Sequence, residues 1–135
     1  LFMNPIAFKI DSIKEIDGEK FGPVLHFISY DPSKLDELIE EINSTGFGLT
    51  MGVHSRILEK AKQIFDKSNI GNFYLNRDIV GAVVGVQPFG GQGLSGTGPK
   101  AGVPNYLHSF VTEKTFTDNV MATGGNIDLL TQNNE

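Results

Sequence analysis

The chain has 135 residues, of which 39% are hydrophobic, and this length and composition suit one domain with a modest core. The 16 acidic residues against 11 basic ones give a net charge of −5, which argues against nucleic acid or an anionic membrane as the main partner. The longest apolar run, residues 79–86, is too short to span a bilayer, and no signal-peptide pattern opens the chain, so a soluble, cytoplasmic protein is expected.

The first half of the chain contains two predicted strands and a predicted helix. Residues 2–10 hold a short strand, and residues 11–18 form a polar connection after it. Residues 24–30 are rich in β-forming side chains and predict a second strand. Asp31 then caps a helix over residues 32–44, because apolar side chains recur there at the spacing of one helical face.

A second predicted helix lies between two further strands. Residues 49–54 predict a short strand, Ser55 caps an amphipathic helix that ends near Asn69, and residues 72–76 predict the next strand. From residue 24 to residue 76 the order is therefore strand, helix, strand, helix, strand. This alternation predicts an α/β fold with a mostly parallel sheet flanked by helices.

Residues 80–103 form a glycine-rich loop, a composition suited to close approach of one backbone to another. Residues 91–96 have the spacing G-x-G-x-x-G, but Thr-Gly-Pro follows where a dinucleotide-binding fold would open a helix. Residues 93–100 approach the phosphate-loop pattern, but a proline precedes the lysine and no hydroxyl follows it. Two alternatives remain: a loop whose glycines only serve turns, and a cradle of free amides near Lys100 for a small carboxylate.

The C-terminal part of the sequence is less regular. Residues 107–120 are predicted to resume helix or strand, and residues 122–126 form another turn. The polar residues 131–135 are expected to fray.

Four short motifs occur in order along the chain. They are Glu19-Lys20-Phe21-Gly22-Pro23-Val24, Gly46-Phe47-Gly48-Leu49-Thr50, Gly71-Asn72-Phe73-Tyr74-Leu75-Asn76 and Pro88-Phe89-Gly90-Gly91. In this order and at these separations they resemble the final third of the aldehyde dehydrogenase superfamily. The longer stretch over residues 76–102 resembles the L-glutamate γ-semialdehyde (Δ1-pyrroline-5-carboxylate) dehydrogenase part of the bifunctional proline utilization A proteins.

The resemblance covers essentially the whole chain and implies a domain assignment. Residues 1–135 would be the C-terminal part of an aldehyde dehydrogenase catalytic domain, and residues 117–135 would be an oligomerisation tail. Residues 124–126, Gly-Gly-Asn, resemble the terminal motif of the proline utilization A proteins.

The motif E-x-F-G-P implies a cofactor, NAD. In the family its glutamate binds the nicotinamide ribose and its phenylalanine packs near the nicotinamide, so the resemblance assigns these roles to Glu19 and Phe21. Without the motif, Glu19 would be interpreted as a solvated surface acid.

The resemblance also implies substrate-binding residues for a semialdehyde that carries an α-carboxylate. Gly102 and Val103 match two consecutive backbone amides that anchor this carboxylate. Val103 replaces the common second glycine, but a backbone amide donates a hydrogen bond whatever its side chain. Phe110 and Phe89 match aromatic positions near the aldehyde pocket, and each would otherwise be an ordinary core phenylalanine.

The family mechanism requires a cysteine thiolate as nucleophile, and the chain contains no cysteine. The sequence therefore predicts no catalytic residue in this chain and no activity of the chain alone. His26, His54 and His108 lack metal-ligand spacing, so no metal site is predicted either.

Three hypotheses remain open. The chain is a fragment of an NAD-dependent semialdehyde dehydrogenase that works with the missing N-terminal part of the enzyme, or it is a structural or oligomerisation module left from a split or decayed gene. A third possibility is an independent carboxylate-binding module. Because the family completes its sheet with strands that precede this segment, an exposed edge also predicts association with another copy of the chain.

Overall fold

A computed structural model describes residues 2–119. Its strands are β1 (Ile6–Lys9), β2 (Val24–Phe27), β3 (Phe47–Gly48), β4 (Thr50–Val53), β5 (Asn72–Leu75) and β6 (Gln92–Gly93). Its helices are α1 (Leu35–Ser44) and α2 (Leu58–Lys67), and 3₁₀-helices cover Ile13–Glu15, Pro32–Lys34 and Pro104–Phe110. The strands and helices predicted from residue 24 to residue 76 occur in the predicted order, and the two-residue strand β3 is an addition to it. Among the described residues no helix is both long and apolar enough to cross a membrane.

Both α-helices begin slightly later than predicted, because local side-chain bonds shape the turns before them. The Asp31 carboxylate accepts a hydrogen bond from the Ser33 amide at 2.8 Å, which initiates a 3₁₀ turn before α1. The Ser55 hydroxyl accepts a hydrogen bond from the Ile57 amide at 3.0 Å, and α2 starts one residue further on. Asp31 therefore caps the turn that leads into α1, and Ser55 caps the turn that leads into α2.

The strands pair in three separate two-stranded sheets. β1 pairs with β2 and β4 pairs with β5, both in parallel, which confirms the predicted parallel pairing. β3 pairs in antiparallel orientation with β6, so the glycine-rich loop contributes a strand that the sequence did not predict. Within residues 2–119, β2 does not pair with β4, and the alternating elements therefore do not form one continuous sheet.

The buried core lies around the two α-helices and β5. Leu35 and Ile39 of α1, Ala61 of α2 and Tyr74 of β5 are its buried hydrophobic residues. Large apolar side chains are exposed to solvent on β1 and β2, on the glycine-rich loop and on residues 106–116.

The C-terminal segment differs from its prediction. The 3₁₀-helix Pro104–Phe110 begins before the element expected at residues 107–120, and residues 111–119 have no regular structure. Proline at the first position favours the turn, but the geometry does not continue into an α-helix. Residues 120–135 lie outside the described part, so the predicted turn at residues 122–126 and most of the predicted oligomerisation tail, residues 117–135, are not described.

Candidate functional site

The glycine-rich loop packs backbone against backbone. A Cβ atom at Gly71 would overlap the carbonyl oxygen of Gly90, and one at Gly96 would overlap the carbonyl oxygen of Gly91. The loop therefore requires glycine for steric reasons, as the sequence predicted. Residues 97–103, directly after Gly96, form no helix, which agrees with the rejection of both nucleotide-loop patterns.

Polar side chains of β5 and of the loop itself hold this loop in place. The buried side-chain amide of Asn72 donates a hydrogen bond from Nδ2 to the Pro88 carbonyl at 2.8 Å. Its Oδ1 accepts a hydrogen bond from the Gly90 backbone amide at 3.1 Å. The Lys100 ammonium donates to the carbonyl of Gly71, so Lys100 has a backbone partner instead of standing free beside an anion cradle. Sequence reasoning missed Asn72, although an asparagine in an otherwise apolar strand was a signal for a buried polar tie.

The predicted carboxylate anchor lies directly after a two-residue bridge. Ala101 and Phe89 exchange hydrogen bonds of 2.8 and 3.0 Å, and Gly102 follows with a φ of 81°. The amides of Gly102 and Val103 donate to no backbone carbonyl within residues 2–119. Two consecutive amides are therefore available at a turn whose backbone conformation favours glycine.

The two candidate aromatic residues have different surroundings. Phe89 is half-buried and lies beside the anchor through its bridge to Ala101. Phe110 ends the 3₁₀-helix that starts after Val103, and its side chain is 71% exposed. The Phe110 ring contacts Tyr106 edge-on, with ring centroids 5.4 Å apart. Phe110 is therefore not an ordinary core residue in this structure.

Glu19 and Phe21 precede β2 in a second part of the surface. Glu19 is exposed, forms no hydrogen bond within residues 2–119, and lines a groove of about 690 Å³. Phe21 is 90% exposed. The chain turns at Gly22, whose carbonyl accepts a hydrogen bond from the Val24 amide at 2.8 Å as β2 begins.

The residues present fit one end of NAD. A free, exposed carboxylate at Glu19 can accept hydrogen bonds from two vicinal ribose hydroxyls, and the Phe21 ring offers an open aromatic face. The glycine-rich loop offers no helix N-terminus for the phosphates. The described part of the chain therefore suits the ribose and the nicotinamide, but not the whole dinucleotide.

The six candidate residues form two groups. Phe89, Gly102 and Val103 lie together on the glycine-rich loop, and Phe110 lies one 3₁₀-helix further along. Glu19 and Phe21 belong to the other group, and Glu19 alone of the six lines the 690 Å³ groove. Among residues 2–119, no three His, Cys, Asp or Glu side chains gather where they could hold a metal ion.

Residues 1–116 match the sequence profile of the aldehyde dehydrogenase family. The chain is 53% identical over 113 residues to the bifunctional protein PutA of Escherichia coli, covering 84% of this chain and 9% of that protein. It is 40% identical over 119 residues to the 1-pyrroline-5-carboxylate dehydrogenase of Oceanobacillus iheyensis, covering 87% of this chain and 23% of that protein.

Solved structures show the same similarity. The crystal structure of a Bradyrhizobium japonicum proline utilization A variant superposes with a TM-score of 0.83 at 51% identity. The match covers 90% of this chain and 12% of that one, so this chain spans about a tenth of the PutA relatives. The profile match over most of the chain shows that it belongs to the aldehyde dehydrogenase family.

Proposed function

We propose that this chain is the part of an NAD-dependent L-glutamate γ-semialdehyde dehydrogenase that contacts the nicotinamide ribose and anchors the substrate carboxylate. The reaction belongs to cytoplasmic proline catabolism to glutamate. Relatives named PutA and 1-pyrroline-5-carboxylate dehydrogenase support this substrate class. The observation that carries the proposal is the pair of consecutive amides at Gly102 and Val103, which donate to no backbone carbonyl within residues 2–119.

The amide pair has the chemistry of a carboxylate anchor. Gly102 adopts a φ of 81°, and Val103 continues in an extended conformation with a φ of −136°. Gly102 lies in a turn, and successive N–H groups of a turn can point toward one side, where they can both donate to an anion. Hydrogen bonds to a charged acceptor are stronger than bonds between neutral groups, so two amides suffice to orient a carboxylate.

Glu19 and Phe21 would hold the cofactor at the ribose and the nicotinamide. NAD supplies the hydride acceptor when it is bound. The Glu19 carboxylate orients the sugar by accepting from both hydroxyls, and the Phe21 ring restricts the nicotinamide by packing against it. Both side chains are exposed in this chain, so ligand contacts replace contacts with water.

The chain does not supply the nucleophile. It contains no cysteine, so the thiolate that attacks the aldehyde comes from another polypeptide segment. The role of this chain is therefore to bind and orient, and alone it is inactive. The alternative is a non-catalytic structural or oligomerisation module, which the large exposed apolar surface favours.

Complementation tests the proposal. The chain is mixed with the aldehyde dehydrogenase part of Escherichia coli PutA that precedes its match to this chain, and NAD reduction is measured with the semialdehyde. We expect activity in the mixture and none in either component. If no ratio of the two restores NAD reduction, the proposal is wrong and the structural-module alternative is preferred.

Two variants separate the two binding roles in the complemented enzyme. Gly102→Ala strains a backbone with positive φ, and we expect the KM for the semialdehyde to rise about tenfold while the KM for NAD is unchanged. Glu19→Gln weakens the ribose contact, and we expect the KM for NAD to rise while the KM for the semialdehyde is unchanged. Gly98→Ala, in open space, and Glu59→Gln, on exposed α2, are the matched controls. Equal effects of variants and controls would contradict the assignment.

A further inference from the structure

The proposed carboxylate anchor belongs to the last of three adjacent backbone segments. The first segment is the start of β5, where a Cβ atom at Gly71 would lie only 1.9 Å from the Gly90 carbonyl oxygen. Gly90 belongs to the second segment, and its neighbour Phe89 exchanges hydrogen bonds of 2.8 and 3.0 Å with Ala101 in the third. Gly102 follows Ala101 directly, so the second segment lies between the anchor and β5.

Asn72 attaches the second segment to β5. Its Nδ2 donates to the Pro88 carbonyl at 2.8 Å, and its Oδ1 accepts from the Gly90 amide at 3.1 Å. These bonds hold the residues on either side of Phe89. Because Asn72 is 8% exposed, both bonds are shielded from competing water. The second segment therefore has a fixed place against β5.

Lys100 attaches the third segment to the start of β5 directly. Its methylene chain packs beside Gly90, where an added Cβ atom would lie 3.3 Å from Cγ of Lys100. Its ammonium donates a hydrogen bond to the Gly71 carbonyl, and the lysine is half-buried along this path. Glycine at position 90 leaves the room that this path requires. The anchor segment is thus bonded to β5 two residues before Gly102.

We propose that Lys100 is a positioning residue for the carboxylate anchor, and this inference rests on the proposed function. In this role Lys100 does not touch the substrate. Its bond to Gly71 fixes the backbone before Gly102, so that the amides of Gly102 and Val103 keep the direction that a bound carboxylate requires. Such precision matters, because a displacement of about 1 Å at a binding group can cost about 100-fold in rate.

An electrostatic role is the alternative for the same side chain. A free ammonium near the anchor would attract a carboxylate at a distance, and salt would screen this attraction. In the structure the Lys100 ammonium instead donates to the neutral carbonyl of Gly71, next to β5. The bond directs the charge toward β5, while Gly102 lies two residues further along the chain. The geometry therefore favours a role in position over a role in charge.

Substrate selectivity of the complemented enzyme tests this role. Lys100→Met keeps an apolar chain beside Gly90 and removes the donor. We expect kcat/KM for the semialdehyde to fall at least about tenfold, through a higher KM, while the KM for NAD is unchanged. γ-Aminobutyraldehyde, which lacks the α-carboxylate, should lose less than about twofold, because it has no group for the anchor to bind. Equal losses for both aldehydes would indicate a general structural defect and overturn the proposal.

Two further variants complete the comparison. Lys100→Arg retains a cationic donor, and we expect it to recover kcat/KM for the semialdehyde to within about threefold of the parent chain. Lys62→Met makes the same lysine-to-methionine change on the exposed surface of α2. It should match the parent chain with both aldehydes. A loss of selectivity in Lys62→Met equal to that in Lys100→Met would contradict a specific role of Lys100.

Ionic strength separates position from charge. If Lys100 holds the anchor in place, the KM for the semialdehyde should respond to sodium chloride equally in the parent chain and in Lys100→Met, because the anchor amides are neutral. If the lysine charge attracts the carboxylate, the KM of the parent chain should rise with salt and that of Lys100→Met should not. The second result would overturn the proposal.

Hydrogen exchange followed by NMR tests the Lys100–Gly71 bond in the chain alone, without activity. The Ala101 amide donates to the Phe89 carbonyl, and the Gly85 amide donates to the Gly102 carbonyl at 3.3 Å. We expect both amides to exchange at least about tenfold faster in Lys100→Met than in the parent chain, because the anchor segment opens more often. Lys62→Met should leave them unchanged. Unchanged exchange in Lys100→Met would overturn the proposal.

The two measurements separate failure of the positioning role from failure of the proposed function. If the complemented enzyme is active and Gly102→Ala raises the KM for the semialdehyde but Lys100→Met does not, the proposed function stands and the positioning role is wrong. Faster exchange in Lys100→Met without NAD reduction in any mixture would contradict the proposed function, while Lys100 would still fix the backbone before Gly102.

Discussion

Two parallel strand pairs of the same length have opposite surroundings in this molecule. Strands β4 and β5 lie beside the core, where Tyr74 is 5% exposed and the glycine-rich loop binds Asn72. Strands β1 and β2 expose apolar side chains, with Leu25 62% exposed. Pairing between two strands therefore depends on those strands alone, whereas burial of their side chains depends on the elements that pack on the two faces of the sheet. The β4–β5 pair has its covering elements in this chain, and the β1–β2 pair lacks them among the described residues.

The largest expected effect tests this difference directly. Ile39→Ala removes a side chain that is 2% exposed in α1 and should lower the free energy of unfolding by about 3 kcal/mol. Leu25→Ala removes a side chain of the same size that is exposed on β2, and it should cost well under about 1 kcal/mol in the chain alone. Urea denaturation measures both. Similar losses for the two variants would show that β2 is covered after all.

Backbone packing on the β5 side provides the second test. Gly71→Ala places a Cβ against the carbonyl of Gly90 and should cost about 2 kcal/mol, because the loop must move away from β5. Gly98→Ala meets nothing within 4 Å, so we expect its free energy of unfolding to match that of the parent chain. Urea denaturation of both variants provides the comparison. A stable Gly71→Ala variant would contradict the close packing of loop and strand.

The smallest expected effect concerns an exposed ion pair between the helices. The Lys67 ammonium lies 2.6 Å from the Asp36 carboxylate, and its hydrogen bond lowers the pKa of Asp36 below the ordinary value of 3.8. A hydrogen bond from Gln63 lowers the pKa by a smaller amount. A carboxyl group whose folded pKa is lowered stabilises the fold above its unfolded pKa and loses this contribution as the pH falls through the folded pKa.

Asp36→Asn should therefore lower stability slightly at neutral pH, and the difference from the parent chain should shrink as the pH falls below about 3.8 and vanish below the lowered, folded pKa of Asp36. The lowered pKa of Asp31, caused by hydrogen bonds from Ser33, is common to both proteins and cancels in the comparison. Urea titrations at several pH values measure the difference. A difference that grows as the pH falls would contradict the ion-pair interpretation.

Local patterns predicted the elements well, because each depends on residues close in sequence. The cap at Asp31 and the apolar spacing of α1 predicted that helix within one turn. The antiparallel pairing of β3 with β6 was missed, because two-residue strands carry no periodic signal and their partners are far apart in sequence. The roles of Asn72 and Lys100 were missed for the same reason, since each binds a distant backbone group.

The sequence alone determined the family and the absence of a cysteine nucleophile, because motif order and residue identity need no coordinates. Only the tertiary structure decided that Lys100 donates to the backbone of Gly71 and that Glu19 lines a groove between β2 and β4, which do not pair with each other within residues 2–119. It also decided which strand edges stay open, because pairing depends on the three-dimensional meeting of segments that are distant in the chain.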